Sequence, residues 1–299
     1  MPNVLAYPPQ MRSVSVIIPA YNEQEAIGED LDTIINVMKA NDIDFELIVV
    51  DDGSTDRTAE IVRGKEGVKL LQHSSNRGTG AAINTGIRYA KHDVVMITDG
   101  DGTYPNQDMP KLLSFMDEYD MVIGARCREA GTLRWLRSPT KAFIRMLASY
   151  LTDTMIPDLN SGLRCFKKEL ARKFFSILPS GHSWVSTITL AFLSNGYVVK
   201  FVPIDYYPRK GKSTFHPIAD TYNYILLVIR TALFFNPLKV FLPISFFLLA
   251  VGAGKAVYDI FAYHFHFAPS TVMLVLSGIQ VGVVALLADL IVKRMAGRE

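Results

Sequence analysis

The sequence is poor in the features that mark several large protein classes. It has two cysteines, Cys127 and Cys165, and no CxxC spacing. That excludes a disulfide framework and a zinc site built on cysteine pairs, and leaves two small thiols suited to burial in a reducing compartment. It has no charge excess of either sign. Lysine and arginine total 31 against 29 aspartates and glutamates, a net +2, so the basic surplus of a nucleic-acid binder is missing. Neither GxxxxGK[ST] nor GxGxxG occurs, which removes the fingerprints of P-loop ATPases and dinucleotide enzymes. The opening Met1–Gln10 is Pro-rich and lacks a basic stretch followed by an apolar core. A loose arm over residues 1–12 is expected there rather than a secretory signal.

What is present is an alternation of short apolar runs with amphipathic stretches. Ser13–Pro19, Phe45–Val50, Val68–Leu71, Val94–Ile97 and Met121–Gly124 read as strands. Between them, a helix is predicted from Asn22 or Glu23, with Ile27, Leu31, Ile34, Ile35 and Met38 at helical spacing. A second helix is predicted over Asp56–Arg63, capped by Ser54 or Thr55, and a third over Ala81–Ala90. Gly162–Phe166 and Gly196–Pro203 return to strand. Nearly all-apolar strands alternating with helices indicate an α/β fold with a mostly parallel sheet covered on both faces, assigned to residues 13–215.

Asp99-Gly100-Asp101-Gly102 follows the fourth strand. Two carboxylates on one tight turn repel each other unless a cation lies between them. A hard divalent ion shared with a substrate diphosphate satisfies that need. A plain polar Asp-Gly turn accounts for the same residues. Pro19–Glu23 follows the first strand and Asp51–Asp56 the second. In a parallel sheet all three stretches share one edge, with strands about 4.8 Å apart, so they can line a nucleotide-sized cleft. There Asp52 could accept hydrogen bonds from a base or ribose, the Asn76–Gly80 loop could bring its backbone close to a ligand, and Arg77 or Lys212 could offset diphosphate charge.

The remaining chain changes character. Leu133–Thr152 is helical, basic and aromatic, with Arg134, Trp135, Arg137, Lys141 and Arg145, which suits a solvated face as well as a membrane surface. Tyr222–Phe235, within 216–236, is apolar and aromatic and reads as an interfacial helix or a buried core helix. His182, Ser183 and Trp184 either contact a sugar or pack under a loop. Within 237–299, two stretches, about 238–261 and 270–292, reach the roughly 20 residues that a bilayer core of about 30 Å requires. Lys255 and Asp259 lie four apart and can pair. The connection Ala262–Pro269 has no Lys or Arg, while Lys239, Lys293, Arg294 and Arg298 flank the outer ends. The positive-inside rule then gives a two-helix hairpin with a cytosolic C-terminus, a multi-pass membrane location and a catalytic domain facing the cytoplasm. A buried helical pair of a soluble protein is the competing reading.

Taken together, seven ordered motifs resemble the inverting family-two glycosyltransferases of GT-A (Rossmann-like) fold. They are Pro19–Glu23, Asp51–Asp56, Asn76–Ala82, Asp99–Asp101, Gly124–Arg126, Ser161–Arg164 and Arg209–Ser213. Within that family the pattern is similar to the polyprenyl-phosphate glycosyltransferases typified by dolichol-phosphate mannose synthase, and the hairpin to members carrying two or more C-terminal helices. The resemblance implies that Pro19, Tyr21, Glu23 and Asp52 hold the nucleotide, and that Asp99 and Asp101 hold Mg²⁺ or Mn²⁺ on its diphosphate. Arg209 and Lys212 would close over the diphosphate. Arg126, with Arg137 and Lys141 from the basic helix, would face the lipid phosphate; Asp101, Arg126 and Arg137 form the implied catalytic set. Some members place a Gln ligand where this chain has Thr103, so Thr103 is left out of the metal set. The usual catalytic-base carboxylate is not evident, and a phosphate acceptor, already anionic near neutral pH, would not need one.

The expected activity is metal-dependent, inverting transfer of a sugar from a UDP- or GDP-linked donor to a dolichyl or undecaprenyl phosphate at the cytosolic face. The expected partners are the nucleotide sugar, the polyprenyl phosphate and membrane lipid, with no nucleic acid; a homo-oligomer is left open. One rival is a transferase acting on another lipid or on a polysaccharide, although the chain lacks QxxRW and has only two candidate spans for a polymer channel. The other is a non-catalytic nucleotide-sugar-binding scaffold at the membrane, against which Asp52, Asp99 and Asp101 argue.

Overall fold

The computed structural model describes residues 13–126, 146–181, 183–209, 233, 236–262 and 266–296. The arm 1–12, Cys127, the first part of the basic helix with Arg137 and Lys141, His182, Lys212, and the 216–236 segment apart from Leu233 and Asn236 lie outside the described residues.

The catalytic-type domain is built on β1 (Ser13–Ala20), α1 (Ile27–Ala40), β2 (Asp44–Asp51), α2 (Thr58–Arg63), β3 (Val68–Gln72), α3 (Thr79–Tyr89), β4 (Val94–Ile97) and α4 (Met109–Leu113). It continues through β5 (Met121–Arg126), β6 (Arg164–Lys167), α5 (Lys168–Arg172), α6 (Trp184–Ser194) and β7 (Val199–Ile204). The seven strands form one sheet in the order β3-β2-β1-β4-β6-β5-β7. β1 runs parallel to β2 and β4, β2 to β3, and β5 to β7. Only β6 is reversed, antiparallel to both β4 and β5. The C-terminal ends of six strands and the N-terminal end of β6 therefore meet on one edge.

Alternation along the strands explains why the sheet is covered twice. Val14, Val16 and Ile18 of β1 face a layer holding Ile27, Leu31, Ile34 and Met38 of α1 and Leu112 of α4. Ile17, with Ile48 and Val50 of β2, faces Ile83 and Ile87 of α3 and Trp184, Ile188 and Phe192 of α6. Two local expectations are corrected. α1 begins at Ile27 rather than Asn22 or Glu23, because Asn22 takes a left-handed φ of 57° and its carboxamide oxygen accepts the Thr55 amide at 2.8 Å. α2 begins at Thr58, and neither Ser54 nor Thr55 caps it. Ser54 Oγ accepts the Asn22 amide instead, while Asp56 Oδ1 accepts both the Thr58 amide at 2.9 Å and its hydroxyl at 2.5 Å.

α7 (Pro237–Ala262) and α8 (Pro269–Ala296) form the C-terminal hairpin. Pro237–Ala262 and Pro269–Val292 are long and apolar enough to cross a membrane, with mean hydropathies of 2.0 and 2.2. Ser245 Oγ donates to the Gly278 carbonyl at 2.7 Å across the pair. Near the tip, the Asp259 carboxylate accepts the Ala268 amide at 2.9 Å and the Thr271 hydroxyl at 2.5 Å, with Lys255 Nζ 3.2 Å away as the spacing predicts. The root is tied to the domain: Lys239 Nζ pairs with Asp153 and donates to the carbonyls of Tyr150 and Leu151, at the end of the helical stretch 146–152. An ammonium at a helix C-terminus meets the negative end of its dipole.

Candidate active site

The apolar run Val95-Met96-Ile97 is wholly buried, and the chain leaves the sheet at Thr98 into the acidic turn. Asp101 is itself buried, with its Oδ1 accepting the Thr103 hydroxyl at 2.6 Å and the Thr103 amide at 3.1 Å. Its Oδ2 is 3.5 Å from Arg209 Nε, and the same guanidinium pairs with Glu23. Thr103 thus orients a carboxylate, a role the motif comparison did not supply. Asp99 packs against the residue two places before β6. A Cβ on Gly162 would come within 2.7 Å of Asp99 Oδ2, so a side chain there would displace that carboxylate. The Gly162 amide in turn donates to Tyr104 Oη at 2.7 Å. Arg164, fully buried, donates to the carbonyls of Ser161 and Val185 and to Thr189 Oγ1, pinning the turn before β6 onto α6.

The electrostatics of this corner are those of a site short of positive charge. Burial raises the pKa of Asp99, the neighbouring Asp101 carboxylate raises it further, and Arg209, Arg126 and Arg164 only partly offset the rise. Burial likewise lifts Glu23 to about 7; Asp101 and Asp99 add to the shift and Arg209 opposes it. A bound cation would stabilise these carboxylates in the charged form. Among the described residues no group of three or more His, Cys, Asp or Glu side chains converges on one point. Asp99 and Asp101 offer carboxylate oxygens of the kind a hard divalent ion takes.

The wall beside β1 and β2 carries the nucleotide-type residues. Pro19 is in β1, opposite Val50, and Tyr21 is partly exposed just beyond the strand. Asp52 is buried, and its carboxylate accepts the amides of Arg77 at 3.0 Å and Gly78 at 2.7 Å; His73 Nδ1 is 2.6 Å away. It fastens the loop before α3. Gly78 has φ 95°, and a Cβ there would fall 2.5 Å from the Ser180 carbonyl oxygen, so the loop can sit this close only as glycine.

Arg126 ends β5 on the same edge. Its Nε and Nη2 donate to Asp158 at 2.7 and 2.9 Å, and its guanidinium lies 5.1 Å from the centre of the Tyr206 ring. Tyr206 meets Tyr104 edge-on at 5.3 Å. The paired bonds from Arg126 hold Asp158 below the usual carboxylate range, outweighing the burial that pushes it up. Glu23, Asp99, Asp101, Arg126 and Arg209 are thus brought to one corner. Arg137, Lys141 and Lys212 lie outside the described residues. Trp184 is buried and donates its indole N–H to Asn84 Oδ1 at 2.8 Å, in keeping with the packing alternative for that segment.

Asp158 was not singled out from the sequence; an acid three residues before Ser161 was the available signal. Asp30 was also missed, although an acid within the stripe Ile27, Leu31, Ile34, Met38 breaks the apolar pattern of α1 and marks a buried charge.

Comparison with known proteins adds to this geometry. The profile described as "Glycosyl transferase family 2" matches residues 15–175, and that described as "GtrB C-terminal hairpin" matches residues 236–293. A dolichyl-phosphate hexose transferase of Haloferax volcanii is 34% identical over 209 residues, 69% of this chain and 88% of that protein. Glycosyltransferase AglJ of the same organism is 28% identical over 295 residues, 95% of each chain. Among solved structures, glucosyl-3-phosphoglycerate synthase of Mycobacterium tuberculosis, crystallised with Mn²⁺, UDP and phosphoglyceric acid, aligns over 74% of this chain and 78% of its own. Its TM-score is 0.59 at 20% identity, a likeness of GT-A fold.

Proposed function

The chain belongs to glycosyl transferase family 2, and from that membership we propose that it transfers one sugar from a UDP- or GDP-linked donor to a polyprenyl phosphate, inverting the anomeric centre, at the cytosolic face of a membrane. The observation that carries the reading is the union of the acidic corner of the sheet with a two-helix hairpin tied to the same domain through Lys239. The Haloferax relative named for dolichyl-phosphate hexose transfer supports the acceptor class. The absence of Lys and Arg from Ala262–Pro269 supports the cytosolic side for the domain.

Asp99 and Asp101 would hold Mg²⁺ or Mn²⁺, which when bound neutralises charge on the departing nucleoside diphosphate, an effect worth several kcal/mol. Pro19, Tyr21 and Glu23 line the nucleotide side, and Asp52 shapes it through the Arg77–Gly78 loop. Arg209, with Lys212, closes over the diphosphate. Arg126, aimed by Asp158, receives the acceptor phosphate together with Arg137 and Lys141. An oxygen of that phosphate forms the new bond to the anomeric carbon from the face opposite the leaving group. The bond from that carbon to the diphosphate breaks, and its electron pair leaves with the nucleoside diphosphate. The acceptor oxygen already carries charge, so no side chain has to remove a proton from it.

The test is a donor panel of UDP- and GDP-sugars with a short-chain polyprenyl phosphate and the full-length protein in detergent, with lipid products read by mass. One donor should give a lipid heavier by one sugar residue and release its nucleoside diphosphate in equal amount. Donor turnover with no glycolipid, or no turnover by any donor, refutes the reading.

A further inference from the structure

We propose that Asp30 of α1 is a positioning residue for the acidic turn, and that Asp30, Asn106 and Thr98 form one hydrogen-bonded strut that sets where Asp99 and Asp101 stand. The inference rests on the reading of those two carboxylates as cation and diphosphate ligands.

Asp30 is buried among Ile27, Leu31, Ile34 and Met38, where its neighbours in the stripe are all apolar. Its Oδ2 accepts the Gly102 amide at 2.9 Å and its Oδ1 accepts the Asn106 side-chain amide at 3.0 Å. Asn106 Oδ1 then accepts the Thr98 hydroxyl at 2.9 Å. Gly102 directly follows Asp101, and Thr98 directly precedes Asp99. One carboxylate from α1 therefore ties both flanks of the turn. Close packing fixes the middle of the turn, where a Cβ on Gly100 would come within 2.6 Å of Ile27 Cδ1. A cavity of about 150 Å³ adjoins its far end, lined by Ala26, Asp30, Thr33, Gly102, Asn106 and Tyr207. Beside that cavity the hydrogen bonds from Asp30 hold the end of the turn.

The chemistry requires a carboxylate rather than an amide. The Gly102 amide and the Asn106 side-chain amide both donate to Asp30, and a carboxylate can accept from both. An amide accepts on one atom only. Asn at position 30 would confront a donor with its own NH₂ unless Asn106 turned over, which would leave the Thr98 proton only the Asp99 carbonyl at 3.5 Å.

The strut can be rebuilt with its charge moved. In the double variant Asp30→Asn/Asn106→Asp, Asn accepts from Gly102 and donates to Asp, whose second oxygen accepts from Thr98. Wild type, Asp30→Ala, Asp30→Asn and the double variant are compared as full-length protein in detergent. Mn²⁺ alone is titrated by the loss of its free electron-paramagnetic-resonance signal, alongside KM for donor, KM for acceptor and kcat. Groups that orient metal ligands typically control affinity by about 10–100-fold, so Asp30→Ala should weaken Mn²⁺ by about ten-fold or more, and Asp30→Asn by less. KM for donor should rise more than KM for acceptor. The double variant should bind Mn²⁺ within about three-fold of wild type, a recovery in keeping with restored hydrogen bonds. Wild-type Mn²⁺ affinity in Asp30→Ala overturns the proposal; should that variant not fold, the same result in Asp30→Asn, or a double variant no better than Asp30→Asn, does so. Failure of the wild type itself to bind Mn²⁺ overturns the cation reading and this inference with it.

Discussion

Replacing Asp158 with Asn should cost both stability and acceptor use, and the size of the first follows from the contacts. The Asp158 carboxylate accepts Arg126 Nε at 2.7 Å, Nη2 at 2.9 Å, the Arg126 amide at 3.2 Å and the Asn160 amide at 3.0 Å. The two side chains are only 15% and 11% exposed, so solvent screens the pair little. Breaking a buried pair costs about 3–5 kcal/mol when one partner is removed outright. Asn keeps one accepting oxygen, which brings the expected loss to about 2–3 kcal/mol, or roughly 5–10 °C for a domain of this size. The pH dependence has a fixed sign. The native pKa of Asp158 is held below its unfolded value, so its contribution is complete above the ordinary carboxylate range. It is lost as pH falls through the native value. The gap in melting temperature between wild type and Asp158→Asn, measured in detergent, should therefore be widest near neutral pH and close on acidification toward about pH 3. At neutral pH, KM for short-chain polyprenyl phosphate should rise about ten-fold, since Arg126 loses the fork that aims it. A melting gap that stays constant with pH, or an unchanged acceptor KM, would refute the argument.

Three further outcomes are expected. Asp101→Asn should lower turnover at least about 100-fold, about 2.7 kcal/mol of barrier, and EDTA should abolish activity until Mn²⁺ or Mg²⁺ is restored; full activity in EDTA excludes the metal role. Arg126→Lys and Arg137→Ala should each weaken use of polyprenyl phosphate by about ten-fold or more with little change in calorimetric binding of nucleotide and metal, because Lys cannot reproduce a guanidinium's paired bonds to phosphate. Retention of wild-type acceptor dependence by both variants in detergent would remove them from the acceptor site. A cysteine at Ala268 should react with an impermeant thiol reagent on intact cells and one at Ala296 only after permeabilisation; the reverse pattern would put the domain on the far side.

The parts legible from sequence were those written in short-range pattern. Val94–Ile97 leading into Asp99 and Asp101 announces a strand and its end, and strand alternation brings three such ends to one edge. Pairing across long separations was not legible. Nothing local states that Arg164–Lys167 slots in reverse between β4 and β5, yet that insertion sets Gly162 against Asp99. Side-chain duty was also hidden where a residue serves the fold and the site together. Asp52 reads as an acceptor for a base or ribose, and the sequence does not show that it also accepts the amides of the Arg77–Gly78 loop; Asn22 reads as a helix start and is held out of the helix by Thr55. Asp158 is distant from Arg126 in the chain, and only the folded edge shows that they meet.

The reversed strand also orders events during synthesis. Until Arg164–Lys167 has emerged, β4 lacks a neighbour on one side, and Val94–Ile97 stands as an open apolar edge, the kind of template on which nascent chains aggregate. The edge closes with β6, and the sheet is complete once β7 ends at Ile204, whereas the hairpin begins at Pro237. At about 5–20 residues per second, the intervening stretch gives the domain a few seconds to settle in water before its anchor is made. The acidic corner can therefore be assembled by the time the hairpin is made, and Lys239, in the hairpin's first turn, meets a domain already shaped to receive it.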